Sequence, residues 1–345
     1  MNDETENGGV DIGEPLSESE LCPEELLAEQ EAAFTRDIER LQARRDEFVE
    51  VYCPACGGDR RTAVFEKYSF SFAGCDDCKT IYMSPRPSIA VMSDYYLNSE
   101  NYKFWAERIF PSTEAARKEK IHKPWLKRII GYCEKYMVPK GVIVEVGPGF
   151  GTFASVVKDS NIFEKIVAIE PTPEMASACR NRGIDVVEKR IEDIDDSLKD
   201  VDVLVSFETI EHLFDPRIFL CRAASLLKKG GLLVLSCPNG LGFDISLLGP
   251  VSWAVDSEHV NLFNPKSLSR LVDSCGFETL DVETPGRLDA EFVREASLRG
   301  EHDLSCDKFL RKVLLDEWDT LGWPFQKFLA ENGLSSHMWL VARKI

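Results

Sequence analysis

From residue 141 onward, short apolar runs alternate with stretches of helical period. The runs 142–146, 165–170, 184–187, 201–207, 231–237, 277–283 and 337–343 have strand length. Such alternation predicts an α/β fold, a parallel-type sheet with helices on both faces. Upstream the pattern differs. Leu27, Phe34, Leu41 and Phe48 recur every seven residues with Ile38 beside them, which predicts a helix over 23–50. That helix either docks on its own domain or pairs with a second copy as a coiled-coil homodimer. Residues 89–140 read as an aromatic-rich helical cap containing Trp105, Trp125 and Tyr132. Residues 1–22 are polar and acidic and read as a disordered tail.

Composition narrows the classes. The chain has 345 residues, 44% hydrophobic and 29% charged, enough for two domains or one domain with additions. No apolar run reaches the roughly 18 residues that a membrane span needs. The acidic N-terminus has no apolar signal core, so a cytoplasmic location is expected. The net charge of −18 is uneven: the first 50 residues hold 16 acids and four bases, the remainder 43 and 37. The balance disfavours a nucleic-acid partner, which calls for a basic surface. The 11 cysteines are an odd number in a chain without a visible export signal, which does not read as a disulfide framework.

Four of those cysteines have metal-site spacing. Cys53-Pro-Ala-Cys56 is followed after 18 residues by Cys75-Asp-Asp-Cys78. Each C-x2-C knuckle presents two thiolates from one tight turn, and two knuckles supply the tetrahedron zinc takes. A pair of redox motifs is the alternative, but the surrounding βαβ pattern is missing. Four thiolates close the coordination sphere, so the zinc would be structural. The expected module spans 51–88 and ends at Pro85-Arg86-Pro87.

A second constellation begins at Val142-Ile-Val-Glu145-Val-Gly147-Pro-Gly149-Phe-Gly151. An apolar strand enters a glycine-rich turn and then a helix, which lets backbone approach a ligand closely. The spacing differs from the G-x-G-x-x-G dinucleotide fingerprint. Glu145 at the strand end can pair with a cationic ligand group. Glu170 ends the next strand, 19 residues after Gly151, where a carboxylate suits the two hydroxyls of a ribose. Glu192 and Asp193 follow the third strand, where they could read an adenine.

This segment resembles motif I of class I S-adenosylmethionine-dependent methyltransferases. Val201–Glu208 with Glu211-His212 is similar to the family's fourth strand and following turn, and Leu227–Asn239 to its fifth strand. His259–Phe263, Ser267 and Gly276-Phe277-Glu278 are similar to its later helix and strand. The resemblance implies a Rossmann-like seven-stranded sheet of order 3-2-1-4-5-7-6 over residues 141–345. It implies S-adenosylmethionine as cofactor and places Phe207 among the cofactor-binding positions. Residues 240–258 and 284–334 stand out as insertions and are candidate lids. The zinc module ahead of this domain resembles a subgroup linked to bacterial surface sugars and natural products. That suggests a small polar acceptor such as a nucleotide-linked sugar, methylated on oxygen or carbon. An RNA or protein methyltransferase docking through the zinc ribbon, and a non-catalytic S-adenosylmethionine sensor, are the alternatives.

Methylating a hydroxyl or an acidic carbon requires removal of a proton, a role that suits histidine. His259 follows the first insertion, and His212 follows the fourth strand with Glu208 and Glu211. His259 and His212 are the candidate bases, with Glu208 beside them. His337 reads as structural, and His122 and His302 as helix-surface residues.

Overall fold

The computed structural model describes residues 12–195 and 198–345. Residues 1–11 of the expected tail lie outside the described residues. In chain order, helix α1 (Glu24–Gln42) precedes strands β1 (Phe48–Val49), β2 (Arg61–Lys67), β3 (Phe70–Cys75), β4 (Ile81–Met83) and β5 (Arg86–Pro87). Helices α2 (Ile89–Asn98), α3 (Glu100–Phe104), α4 (Phe110–Arg117) and α5 (Lys123–Lys135) follow, with π turns on either side of α4. The catalytic-type region begins with β6 (Val142–Val146), α6 (Thr152–Ser160), β7 (Lys165–Ile169), α7 (Pro173–Asn181) and β8 (Asp185–Val187). It continues through β9 (Val201–Phe207), α8 (Pro216–Leu226), β10 (Leu227–Pro238), α9 (Phe243–Leu248) and β11 (Asn261–Leu262). The chain ends with α10 (Pro265–Asp273), β12 (Phe277–Glu283), α11 (Asp289–Leu298), α12 (Lys308–Arg311), α13 (Trp318–Glu331) and β13 (His337–Lys344).

Seven strands form one sheet in the order β8-β7-β6-β9-β10-β13-β12. The ladders from β8 to β10 are parallel, and β13 runs antiparallel between β10 and β12. Strand β9 is buried along its whole length and β10 from Gly231 onward, as expected of strands with helices on both faces. Buried Asp202 of β9 fastens that strand to its two neighbours, β6 and β10. It accepts the amide of Val142 at 2.8 Å and the ammonium of Lys228 at 2.7 Å.

The N-terminal helix turns its buried face to its own chain. That face is Leu26, Gln30, Ala33, Asp37, Ile38 and Leu41. Fully buried Asp37 accepts from Ser99 Oγ and from the amides of Glu100 and Asn101, capping the start of α3. The seven-residue stripe is therefore not an open seam: Leu27 and Phe34 sit at its margin, and Phe48 lies beyond the helix end. Residues 12–22, read as tail, instead lie against the protein. Ile12, Leu16 and Cys22 are buried, and Glu18 to Glu20 form a 3-10 turn.

Strands β2, β3 and β4 make an antiparallel meander carrying the paired cysteines. The sheet then takes a fourth strand from far along the chain: β11 pairs with β4, Asn261 opposite Tyr82 and Leu262 opposite Ile81. Arg86, expected to mark a boundary, is an anchor. It is 1% exposed and donates to the carbonyls of Met83, Phe214 and Val260. The cysteine module and the large sheet also share a core, in which Cys53, Ala55 and Tyr82 pack with Val144 and Leu235. The two insertions pack on each other, α9 with α11 and α13, around Leu248, Val293 and Leu314.

Candidate functional site

A cleft of about 1530 Å³ lies where β6 and β9 end, enclosed by α4, α5, residues 12–21 and the start of α11. Glu145, Gly147, Gly149, Phe207, Glu208 and His259 all line it. Adjacent β6 and β9 are where the connections leave in opposite directions along the sheet, the usual ligand crevice of such sheets.

The turn after β6 takes left-handed backbone at Gly147, Gly149 and Gly151, with φ of 71°, 53° and 72°. A side chain at Gly147 would come 2.6 Å from Thr209 Oγ1, and one at Gly151 2.7 Å from Cys179 Sγ. Nothing lies within 4 Å of a Cβ built at Gly149. Gly149 thus leaves backbone open to the cleft, whereas Gly151 packs against α7 and does not line it. Glu145 is 3% exposed, and its Oε2 has no hydrogen-bond partner. Burial pushes its carboxyl up to about 8. An unpartnered buried carboxylate on a cleft wall fits a cationic ligand group.

The other expected cofactor residues are placed less directly. Glu170 is buried just after β7, and its carboxylate accepts the Thr172 amide at 2.8 Å. Burial pushes that carboxyl up as well. Glu192 and Asp193 sit on a 3-10 turn, and Asp193 pairs with Arg190 at 2.9 Å. Glu170, Glu192 and Asp193 do not line the cleft. Phe207 does, within an aromatic cluster whose ring centroids lie 4.5 Å from Trp125, 5.0 Å from Phe153 and 5.2 Å from Trp339.

Glu208 follows β9 in left-handed backbone, φ 47°. It accepts hydrogen bonds from Ser236 Oγ at 2.6 Å and His337 Nε2 at 3.0 Å. Its depth in the fold opposes ionisation, but His337 and Ser236 together hold the carboxyl down to about 2. The carboxylate still meets cleft solvent. His337 also stacks on Trp125, 6.4 Å between centroids and 8° from parallel. Read from sequence as structural, it is a cleft residue. His122 is another: instead of facing solvent it is part-buried on the cleft wall, edge-on to Trp125, and burial pushes it down to about 3. His302 lies in the loop after α11.

His259 donates Nδ1–H to the Ala254 carbonyl at 2.9 Å, with Asp256 Oδ2 at 3.5 Å. That leaves Nε2 as the nitrogen able to take a proton. Burial would lower its pKa, but Asp256, Glu211, the Ala254 carbonyl and Glu258 raise it to about 9. The ring of His212 stands 4.7 Å from that of His259 but off the cleft wall. Burial and His259 push His212 down to about 3, so it is neutral. Glu211 is fully buried with both oxygens unpartnered. Glu211, His212 and His259 bring donor atoms within 4.8 Å of one another, a group that could share a proton or hold a cation.

The four knuckle cysteines meet as their spacing requires. Cys53 and Cys78 sulfurs are 3.4 Å apart, Cys56 and Cys75 sulfurs 3.5 Å, and all four lie within 4.8 Å. Four sulfurs about one central point fit the tetrahedron of zinc. Gly57 provides left-handed backbone after the first knuckle, φ 74°.

Residues 116–282 match the model of a methyltransferase domain family. Those residues carry a methyltransferase domain, similar to S-adenosylmethionine-dependent methyltransferases. A Mycobacterium tuberculosis protein named "Probable S-adenosylmethionine-dependent methyltransferase" is 25% identical over 178 residues, 51% of this chain and 62% of that protein. A Xanthomonas campestris ubiquinone biosynthesis O-methyltransferase is 28% identical over 109 residues, 30% of this chain and 45% of that protein. The chain thus spans under two thirds of these curated relatives. A crystal structure of an S-adenosylmethionine-dependent methyltransferase from Clostridium acetobutylicum has a TM-score of 0.45 and 11% identity, covering 70% of this chain and 98% of that one. Among the described residues, no helix is long and apolar enough to cross a membrane.

Proposed function

We propose that the protein transfers a methyl group from S-adenosylmethionine to a small polar acceptor, a nucleotide-linked sugar or a related glycan or natural-product intermediate. The observation that carries this reading is the wall formed by Glu145, with its unpartnered oxygen, and the open backbone at Gly149. Single-ligand pockets run to roughly 300–1,000 Å³. A cleft of about 1530 Å³ has room for a cofactor and a second molecule. Bound S-adenosylmethionine supplies a methyl group that is already activated. The chain's own task is to hold the acceptor in line, exclude water and take a proton. Glu145 and the glycine turn would hold the cofactor's amino-acid end; Glu170, buried at the end of the neighbouring strand and off the cleft wall, would reach its ribose only by leaving the Thr172 amide. His259 is assigned the proton, since its Nε2 belongs to a cleft residue and its carboxylate neighbours make it a stronger base. Cys53, Cys56, Cys75 and Cys78 would hold one structural zinc.

Calorimetry tests the cofactor. The wild type should bind S-adenosylmethionine, and Glu170→Ala about tenfold more weakly, roughly 1.4 kcal/mol. An unchanged affinity, or preference for a nicotinamide dinucleotide, would overturn the assignment. The acceptor is tested by a turnover screen with labelled cofactor against nucleotide sugars, small phenols and RNA.

A further inference from the structure

Two guanidinium groups line the cleft mouth without a carboxylate partner among the described residues. Arg117 Nη2 donates to the Leu21 carbonyl at 2.8 Å and Nε to Thr113 Oγ1 at 3.0 Å. Its guanidinium carbon lies 4.9 Å from the Phe110 ring centre and 5.7 Å from that of Trp105. Arg287 donates to two carbonyls, Glu14 at 3.3 Å and Lys120 at 2.9 Å. Lys120 follows Arg117 by one helical turn, so Arg287 and Arg117 flank the same short stretch. The Lys120 ammonium pairs with the carboxylate of Glu20. Three cations therefore line the same side of the cleft in a chain whose net charge is −18.

Among the described residues, every group bonded to these cations from outside the helical cap comes from residues 14–21: the carbonyls of Glu14 and Leu21 and the carboxylate of Glu20. That strap lies over the cleft mouth and is tied to α11, the first helix of the second insertion, where the Glu18 amide donates to Glu291 at 3.2 Å. Carbonyls bring partial charge only. A half-buried guanidinium held by carbonyls and aromatic faces still lacks an anion. Burial correspondingly pushes Arg117 down to about 10 and lowers Arg287. The planar fork of arginine matches the oxygens of phosphate, and a lysine beside it adds a point charge.

We propose that Arg117, Lys120 and Arg287 form an oxyanion subsite that takes the phosphate or diphosphate of the acceptor, and that residues 14–21 occupy it in competition. Naming the ligand as the acceptor rests on the methyltransferase reading; the subsite itself does not. A phosphorylated acceptor entering the mouth displaces the Leu21 and Glu14 carbonyls and the Glu20 carboxylate from the cations. The strap is then free to close over the bound molecule from the lid side.

The test is calorimetry on the full chain saturated with S-adenosylhomocysteine. The probes are inorganic pyrophosphate, inorganic phosphate, a nucleoside diphosphate and a short RNA oligomer. Pyrophosphate should bind the wild type, about tenfold more weakly after Arg117→Gln or Arg287→Gln, and more tightly after Glu20→Gln, which frees Lys120. A nucleoside diphosphate that binds more tightly than pyrophosphate identifies a nucleotide-linked acceptor, and equal affinity identifies a simple phosphate ester. S-adenosylhomocysteine affinity should stay within about threefold in all three variants. Failure of pyrophosphate to bind both the wild type and Glu20→Gln overturns the subsite. So does a tenfold loss of S-adenosylhomocysteine affinity in an arginine variant, which would give that arginine to the cofactor's carboxylate. RNA binding above the nucleoside diphosphate overturns the small-molecule ligand. If S-adenosylhomocysteine binds and pyrophosphate does not, only the subsite falls; if S-adenosylhomocysteine does not bind the wild type, the methyltransferase reading falls.

Discussion

His337 Nε2 donates to Glu208 Oε1 at 3.0 Å, tying the first residue of the last strand to the residue just after β9. Ser236 holds the same oxygen from β10. The pair depresses the Glu208 carboxyl to about 2. A carboxyl lowered on folding contributes stability that is present above its unfolded pKa, near ~4.5, and is lost as pH falls toward the folded value. The gap in unfolding free energy between wild type and Glu208→Gln should therefore shrink steadily from pH 5 to pH 2.5. Urea unfolding across that window measures it, and a constant gap would contradict the pairing.

His259 as proton acceptor makes a kinetic prediction. His259→Ala should lower the methyl-transfer rate by roughly 10²–10⁴ while cofactor affinity holds. A base must be unprotonated to act, and His259 is raised to about 9, so the wild-type rate should climb with pH up to about that value. Asp256→Asn removes a charge that raises it and should move the climb to lower pH. His212→Ala, altering a residue off the cleft wall, should lower stability and leave the shape of the profile alone. An unchanged rate for His259→Ala between pH 6 and 9 would remove the assignment.

The glycines of the β6–α6 turn should separate by their surroundings. Gly151→Ala drives a Cβ to 2.7 Å from Cys179 Sγ on top of a left-handed backbone. It should cost folding stability by at least about 1–2 kcal/mol, the left-handed penalty alone. Gly149→Ala meets open space. Its expected signature is weaker S-adenosylmethionine binding that exceeds its loss in thermal stability, read by calorimetry beside a melting curve.

Metal analysis should find one zinc per chain, and Cys75→Ser should lose it. The consequences differ from those of an independent zinc finger, because β11 lies in the same sheet as β3 and β4. Cys75→Ser should lower the methyl-transfer rate more than it lowers cofactor affinity, since β11 begins two residues after His259 and the cofactor turn lies on another sheet. Equal loss of both would point to general unfolding.

The strands were legible because each is a compact apolar run between breakers, and Val142–Gly151 carried both strand and turn. The thiol cluster was legible because each short knuckle places two sulfurs side by side locally. What escaped depended on distant partners. Arg86 sits between two prolines and looks like punctuation, but its three acceptors include carbonyls of residues 214 and 260. The stripe on α1 showed Ile38 and Leu41 of its docked face, but not Asp37, a polar residue that goes inward to cap α3. His337 carries no local sign of its role, which comes from its position opposite Pro238 and beside Glu208. Asp193 carries a partner that its place in the chain order does not reveal, the Arg190 guanidinium three residues before it.

The pairing of β11 with β4 also bears on how this chain can be cut and damaged. Severing it after Pro87 would strip Leu262 and Asn261 of their neighbours and leave the His259 loop hanging from one end. Oxidation of the knuckle thiols would act along the same route: as β4 shifts, the backbone bonds from Ile81 to Met83 drag the loop with them. If His259 takes the proton, a thiol-poisoned protein would then hold its cofactor and fail at that step, mimicking a mutation in a residue that no oxidant had touched.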